Sequence, residues 1–504
     1  MIKQKFYRPV WTSGRYDRST HSAIFYNLFT GVSYFFENIS ADVVGHILKQ
    51  KRKGLICINK IHQETDIAEN DIINFLNELK DLGLVTNYQS TRKTIEDIKE
   101  NILCKRTQQF PTNNNEIDSE IDYQKRVKSK VFSVLFELTY NCSEKCIHCY
   151  NPGRTRNEKE NSTRNREELD LDEYKNIIDQ LYEQGLVRVS LSGGDPFSKP
   201  IIWDIIEYLY AKDIVFDVYT NGQNLLNKEV KLASYFPATV GISIYSDIAK
   251  VHDSITRING SLNNSLKVID KLFSLHVPLA IKCCVMKQNI KTYRGVKRLA
   301  QKYHATYQLE CNIFDSVDGD ACVSYYLRLS PEEMKIVLRD KDNPLYIGSE
   351  IKNYGSREFK KNQNVCGAGY AGFCITPSGH LTYCVSFPSV IGNLRSEKLI
   401  DILRKEKLLQ WRNRTLEDYT ECTKYDYCNF CPLCPGLNFT KNGDPFKPSD
   451  NNCYIAKIRH EVFQLLQCGQ DPLNGNDIDT ALSLLPEPEN ITIKKIQETN
   501  FYQI

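Results

Sequence analysis

"VFSVLFELTYNCSEKCIHCYNPG" (residues 131–153) runs from an apolar block straight into a loop that holds three cysteines, Cys142, Cys146 and Cys149. The block reads as a buried strand ending at the loop. Beyond it, strand and helix signals alternate. "LDLDEYKNIIDQLYEQG", "PIIWDIIEYLYAKD", "SLNNSLKVIDKLFSLH" and "YRGVKRLAQKYH" carry helical spacing. "LVRVSLSGGDP", "IVFDVYTNG", "TVGISIYSD", "PLAIKCCVMKQN" and "TYQLECNIF" read as strands. Six β/α repeats predict an α/β fold with parallel strands and covering helices, a barrel or part of one. In such folds chemistry sits at the C-terminal ends of the strands. The three-cysteine loop, "SGGDP" (192–196), "TNG" (220–222) and "IYS" (244–246) all fall there.

The chain has 504 residues, too many for one ordinary domain, with 41% hydrophobic and 25% charged residues and a net charge of +3. Those values describe a globular protein without a dominant nucleic-acid or membrane footprint. The N-terminus lacks a signal-peptide core, and no apolar run approaches the ~18 residues of a membrane span. A cytoplasmic location follows as the expectation, and there thiols stay reduced. The chain's eighteen cysteines then read as metal ligands rather than disulfides.

Upstream of the barrel, "SAIFYNLFTGVSYFFENI" (22–39) reads as two strands around a Thr30-Gly31 turn, and Ser40 as the N-cap of a helix ending before Gly54. "DIAENDIINFLNELKDLGLVTNY" supplies another helix, so residues 1–106 are expected to form a winged-helix-like module. Residues 107–130 read as a linker, 131–345 as the barrel, 346–470 as a cysteine-rich region without regular periodicity, and 471–504 as a tail. Residues 1–90 hold 11 Lys or Arg against 9 Asp or Glu, which is not the basic face of a DNA reader. The charged stretch 154–168 reads as a lid or a solvated loop.

Three cysteines at C-x3-C-x2-C fit a zinc site with a distant fourth ligand, or a [4Fe–4S] cluster with one iron left open. With its ring residue before the last cysteine, His148, followed by Tyr150, the loop resembles that of the radical S-adenosylmethionine (SAM) superfamily. The resemblance implies a partial (β/α)6 barrel in which SAM chelates the fourth iron through its amino and carboxylate groups. "SGGDP" resembles the family's glycine-rich motif, so Ser192, Gly193, Gly194, Asp195 and Pro196 are expected around the cofactor, although relatives usually carry Glu where Asp195 stands. Ser243, Lys282 and Arg257 are further expected cofactor contacts. Tyr245, Glu310 and Cys283 are expected either to face the cavity or to serve packing.

Eight more cysteines lie between Cys366 and Cys453. Cys366, Cys374 and Cys384 surround a Gly379 turn as C-x12-G-x4-C, and this region resembles the SPASM extension, which holds two auxiliary [4Fe–4S] clusters. The later cysteines depart from the family spacing, reading C-x5-C-x2-C-x2-C. The resemblance implies Cys366, Cys374, Cys384 and Cys434 for one auxiliary cluster, and Cys422, Cys428, Cys431 and Cys453 for the other. Zinc in one site, or an exchange of Cys431 with Cys434, stays open. Of the other seven cysteines, Cys57, Cys104, Cys322 and Cys468 read with the rest as buried thiols.

The N-terminal segment resembles the leader-recognition element of peptide-modifying enzymes, in which a precursor's leader adds a strand to a sheet edge. The implied activity is a peptide maturase that forms a cross-link, thioether or carbon–carbon, with flavodoxin or ferredoxin as reducing partner. Alternatives are a formylglycine-generating sulfatase maturase, a peptide epimerase, and an iron–sulfur DNA-binding sensor.

Overall fold

The computed structural model describes residues 4–90, 114–127, 130–151, 168–314, 323–347, 364–370 and 372–488. Cys104, Cys322 and all of the stretch 154–168 except Glu168 lie outside these.

Six parallel strands form the centre: β4 (Ser133–Glu137), β5 (Arg188–Ser192), β6 (Val215–Thr220), β7 (Thr239–Ser243), β8 (Leu279–Cys284) and β9 (Thr306–Glu310). All six lie within the stretches expected for them. Val134, Phe136, Val189, Leu191, Val218, Val240, Ile242 and Ile281 point into the main core, against Ile177, Ile178, Leu181, Ile205, Leu209, Val268 and Leu272 of the covering helices. Each strand hydrogen-bonds to the next in chain order, which makes the partial (β/α)6 barrel an open sheet that does not close from β9 to β4.

The open edge at β4 is occupied. β10 (Gly372–Ile375) pairs parallel to it, with Cys374 opposite Leu135, and β11 (His380–Cys384) and β12 (Phe387–Asn393) continue antiparallel. The cysteine-rich region is thus more regular than its sequence suggests. It holds the 18-residue helix Asp450–Gln467 and an aromatic cluster of Tyr383, Phe387, Trp411, Phe439 and Phe446. The Trp411 indole donates to Ala368 O at 2.6 Å. The tail also carries structure, because the helix Ile478–Leu484 returns to the barrel through Asp479, bound by Arg294 at 2.5 Å.

The N-terminal module is an antiparallel sheet in the order β1 (Thr12–Asp17), β2 (Ser22–Asn27), β3 (Val32–Glu37), followed by helices Asn38–Leu48, Ile58–Thr65 and Glu69–Asp81. β1 has no counterpart in the sequence reading. Ser40 does not cap its helix: Glu37 occupies the cap position, and the Ser40 hydroxyl donates back to Glu37 O at 2.7 Å. The expected linker contains the helix Asn114–Val127. Tyr123 is buried there between Phe35 and Phe132, and Glu120 accepts from Tyr26 and Arg188, each at 2.8 Å.

These contacts seat the module on the N-terminal ends of the barrel strands. Ile24, Tyr26 and Leu28 pack with Phe132, Val187, Val215 and Ala238, which begin or just precede β4 to β7. Asp213, ahead of β6, binds Arg8 at 2.6 Å and Arg52 at 2.8 Å, while its carbonyl accepts from Ser13 at 2.6 Å. Arg52 also lies over the Tyr210 ring. Two of the eleven cations of residues 1–90, Arg8 and Arg52, are therefore spent on docking. Removing one partner of a buried pair leaves an uncompensated charge, and the Arg8 side chain is only 1% exposed. Asp213→Ala is expected to cost about 3 kcal/mol, read from the denaturant midpoint of the full chain.

Candidate active site

The cysteine loop leaves the C-terminal end of β4 and is held on two sides. Toward β7 and its following helix, the backbone amides of Lys145 and Ile147 donate to Thr256 O and Ile255 O, both at 2.9 Å. Toward β5, Gly194 N donates to Thr139 O at 2.6 Å and Asp195 N to Asn141 O at 2.9 Å. A Cβ on Gly193 would run into Thr139 O, and one on Gly194 into Asn141 O; Gly193 also has φ +128°. The paired glycines are thus required by the contact between the two loops. Of their two carbonyls, Gly193 O accepts from Asn151 Nδ2 at 2.9 Å.

Asp195 is fully buried and fully committed. One oxygen accepts from Phe197 N at 2.9 Å and caps the short helix Pro196–Ser198; the other accepts from the Thr220 hydroxyl at 2.5 Å and from Asn221 N at 3.1 Å. Asp195 thereby braces the ends of β5 and β6 against each other. Asn221, which it positions, donates through Nδ2 to Cys142 Sγ at 3.3 Å. The sequence reading quoted "TNG" without singling out Asn221, although its place at a strand end in the same layer was the available signal.

Cys142, Cys146 and Cys149 lie within electrostatic reach of one another. Burial first, then Glu144 and the neighbouring thiols, push Cys146 well above the ordinary thiol range. Its S–H donates to Glu144 Oε2 at 3.4 Å, a partner the sequence reading also missed. Among the described residues no three His, Cys, Asp or Glu side chains are drawn to the spacing of a single ion. The donor set itself, three thiols on one loop whose deprotonation accompanies metal binding, fits a cluster that leaves one iron for another ligand.

Around it, the His148 ring meets Tyr245 edge-on at 4.6 Å, and Tyr245 stacks on His252. Tyr150 sets its ring toward Phe314 at 6.5 Å. Ser192 and Ser243 end their strands as expected, and Ser243 pairs in register with Lys282. The Lys282 ammonium lies 3.8 Å from the Tyr219 ring centroid; burial lowers its pKa, with Cys284 and Asp217 acting in the opposite sense. Arg257 is exposed and left-handed (φ +62°), closing the helix Ala249–Thr256 directly after Thr256, whose carbonyl accepts from Lys145 of the cysteine loop. Cys283 faces the core, and Glu310 accepts from the Cys311 and Asn312 amides at 2.8 Å.

The remaining expected ligands fall into two groups. Cys384 lies within electrostatic reach of Cys366, Cys434 and Cys374. Cys431 lies within reach of Cys453, Cys422 and Cys428, and these four line a cavity of about 230 Å³ with Tyr425 and Tyr427. Burial, followed by neighbouring thiols, pushes Cys431 up to about 12 and Cys422 to about 11.

With this geometry in place, comparison with known proteins assigns the class. Residues 136–300 match the radical SAM superfamily, and residues 366–435 match the SPASM iron–sulfur cluster-binding domain. The chain thus carries a radical SAM domain followed by a SPASM domain. Those domains imply SAM, a [4Fe–4S] cluster and auxiliary iron–sulfur clusters. The AdoMet-dependent heme synthase of Methanosarcina barkeri is 26% identical over 336 residues, 62% of this chain and 93% of the relative. The subtilosin biosynthesis protein AlbA of Bacillus subtilis is 24% identical over 341 residues, 66% and 73%. The mycofactocin maturase MftC of Mycobacterium ulcerans is 26% identical over 262 residues, 49% and 67%. In fold, Streptococcus suis SuiB bound to its precursor peptide SuiA superposes with a TM-score of 0.54 at 14% identity, covering 89% of this chain and 99% of that one. No helix among the described residues is long and apolar enough to cross a membrane.

Glu137, the last residue of β4, is a buried carboxyl near Tyr140, Tyr150 and Cys374. Burial lifts it from 4.5 to about 7, and the Tyr140 hydroxyl partly offsets this. Between those values the folded metal-free chain keeps a proton that the unfolded chain has released. Stability therefore falls as pH rises through that window, by about 3 kcal/mol in all. Glu137→Gln is expected to flatten that segment, read from urea midpoints of metal-free protein on either side of the window.

Proposed function

We propose that this enzyme is a maturase that installs a cross-link, thioether or carbon–carbon, in a ribosomally made precursor peptide. The observation that carries the reading is the three-stranded module ahead of the barrel. Among the described residues β3 pairs only with β2, so no described strand occupies its other edge, and the Asp213 clamp and the helix Asn114–Val127 tie the module to the barrel. An extended leader adding to β3 would gain main-chain hydrogen bonds there. AlbA and MftC, each named for the biosynthesis of a bacteriocin or of mycofactocin, support the same reading.

Cys142, Cys146 and Cys149 would hold the SAM-binding cluster. Cys366, Cys374, Cys384 and Cys434 would hold one auxiliary [4Fe–4S] cluster, and Cys422, Cys428, Cys431 and Cys453 the other, three in total. SAM bound at the first cluster supplies a 5′-deoxyadenosyl radical that removes a hydrogen atom from the substrate. The chain's own part is to fix the cysteine loop through Asp195 and Asn221 and to place substrate at the strand ends. Lys282, a cation with no carboxylate within ion-pair distance among the described residues, is offered for the SAM carboxylate, with Ser243 beside it and His148, Tyr150 and Ser192 around the site. A flavodoxin or ferredoxin would bring the electron.

Anaerobic co-expression with the precursor peptide tests the reaction. The expected product is lighter by two hydrogens, absent with Cys146→Ala, and fragmentation would locate the bond. An unchanged mass with deuterium taken up from heavy water would instead establish epimerisation. Lys282→Ala is expected to weaken SAM binding by about tenfold, equivalent to about 1.4 kcal/mol, in equilibrium dialysis of the reconstituted enzyme.

A further inference from the structure

Tyr419 is fully buried, and among the described residues its hydroxyl has no hydrogen-bond partner. A tyrosine hydroxyl shut away from water normally finds one, because leaving it unmet forfeits its hydration with no return. Its surroundings say what is missing. The ring packs against Phe446 at 5.1 Å, and the backbone is fixed at both ends: Tyr419 N donates to Leu416 O at 3.0 Å, and Cys422 N donates to Tyr419 O at 2.9 Å. The side chain lies within electrostatic reach of the Cys366 and Cys422 thiols, then of Asp418 and the Cys434 thiol, so two of its three sulfur neighbours belong to the first group and one to the second. Apart from Asp418, the polar groups shaping its electrostatics are all sulfurs.

We propose that the Tyr419 hydroxyl donates a hydrogen bond to a sulfur of the auxiliary cluster held by Cys366, Cys374, Cys384 and Cys434, and thereby sets that cluster's reduction potential. The proposal rests on the cluster assignment made above. Reduction adds negative charge to the sulfurs, so a donor aimed at one of them stabilises the reduced form and raises the potential. The same residue accepts the Cys422 amide through its carbonyl, so one residue sits at the boundary of both groups. It tunes the first through its side chain and anchors the second through its backbone.

The test uses the reconstituted full-length chain carrying Cys142→Ala, Cys146→Ala and Cys149→Ala, so that only auxiliary clusters contribute. Iron and sulfide are counted, and both clusters are titrated by EPR-monitored reduction. This background is expected to hold about eight irons, two [4Fe–4S] clusters. Adding Tyr419→Phe is expected to keep that count and to make one cluster about tenfold harder to reduce, about 59 mV for one electron, with the other unmoved. Full iron with both potentials unchanged overturns the proposal alone. A background chain that binds no iron overturns the cluster assignment and the proposal together. If Tyr419→Phe loses iron, difluorotyrosine placed at 419, a stronger donor of nearly the same shape, is expected to raise the same potential; no movement overturns the proposal.

Discussion

The contact between the cysteine loop and the Gly193–Gly194 turn is the constraint on which the site depends. Two backbone amides of the turn donate into the start of the loop, and the approach is so close that neither glycine tolerates a side chain. Asp195 then carries the restraint sideways, binding Thr220 and Asn221 at the end of β6, and Asn221 returns it to Cys142. Three strand ends are thereby locked to one loop before any cofactor enters. A radical reaction benefits from this, since a braced loop keeps its geometry.

The second organising contact is the edge of the sheet. A six-stranded open barrel leaves β4 with unpaired backbone groups, which a folded chain must satisfy. β10 covers them and brings Cys374 in register with Leu135, two residues from Glu137. The cysteine-rich region is therefore not an appendage held on by a linker. It continues the catalytic sheet, with Cys374 and Cys384 standing on strands joined through the ladder to β4, the strand that leads into the cysteine loop.

Much of this was legible in the residues. Continuous apolar runs marked the six barrel strands, and the spacing of Cys142, Cys146 and Cys149 marked the loop, because both patterns are local. What could not be read is what tertiary contact decides. β1, "TSGRYD", has no apolar alternation; its place comes from pairing with β2 and from Ser13 meeting Asp213. The helix Asn114–Val127 is too polar to announce itself and owes its position to Tyr123 and Glu120. Asp195 sits in a ligand-binding motif, so the motif suggested a ligand contact, while the structure gives its carboxylate three partners within the protein. The long helix Asp450–Gln467 was masked by reading Cys453 only as a ligand.

The N-terminal sheet meets the barrel at the ends of the strands opposite the cysteine loop. For the peptide reading proposed above, this turns the barrel's height into a measure of the substrate. Five residues of strand at about 3.3 Å each make about 17 Å, and an extended chain covers at most about 3.3–3.6 Å per residue. A precursor held at β3 must therefore carry at least about five residues, and more to round the loops, between the segment that anchors it and the residue that is altered. Spacer length, rather than the identity of the spacer residues, would decide which position along the peptide comes within reach.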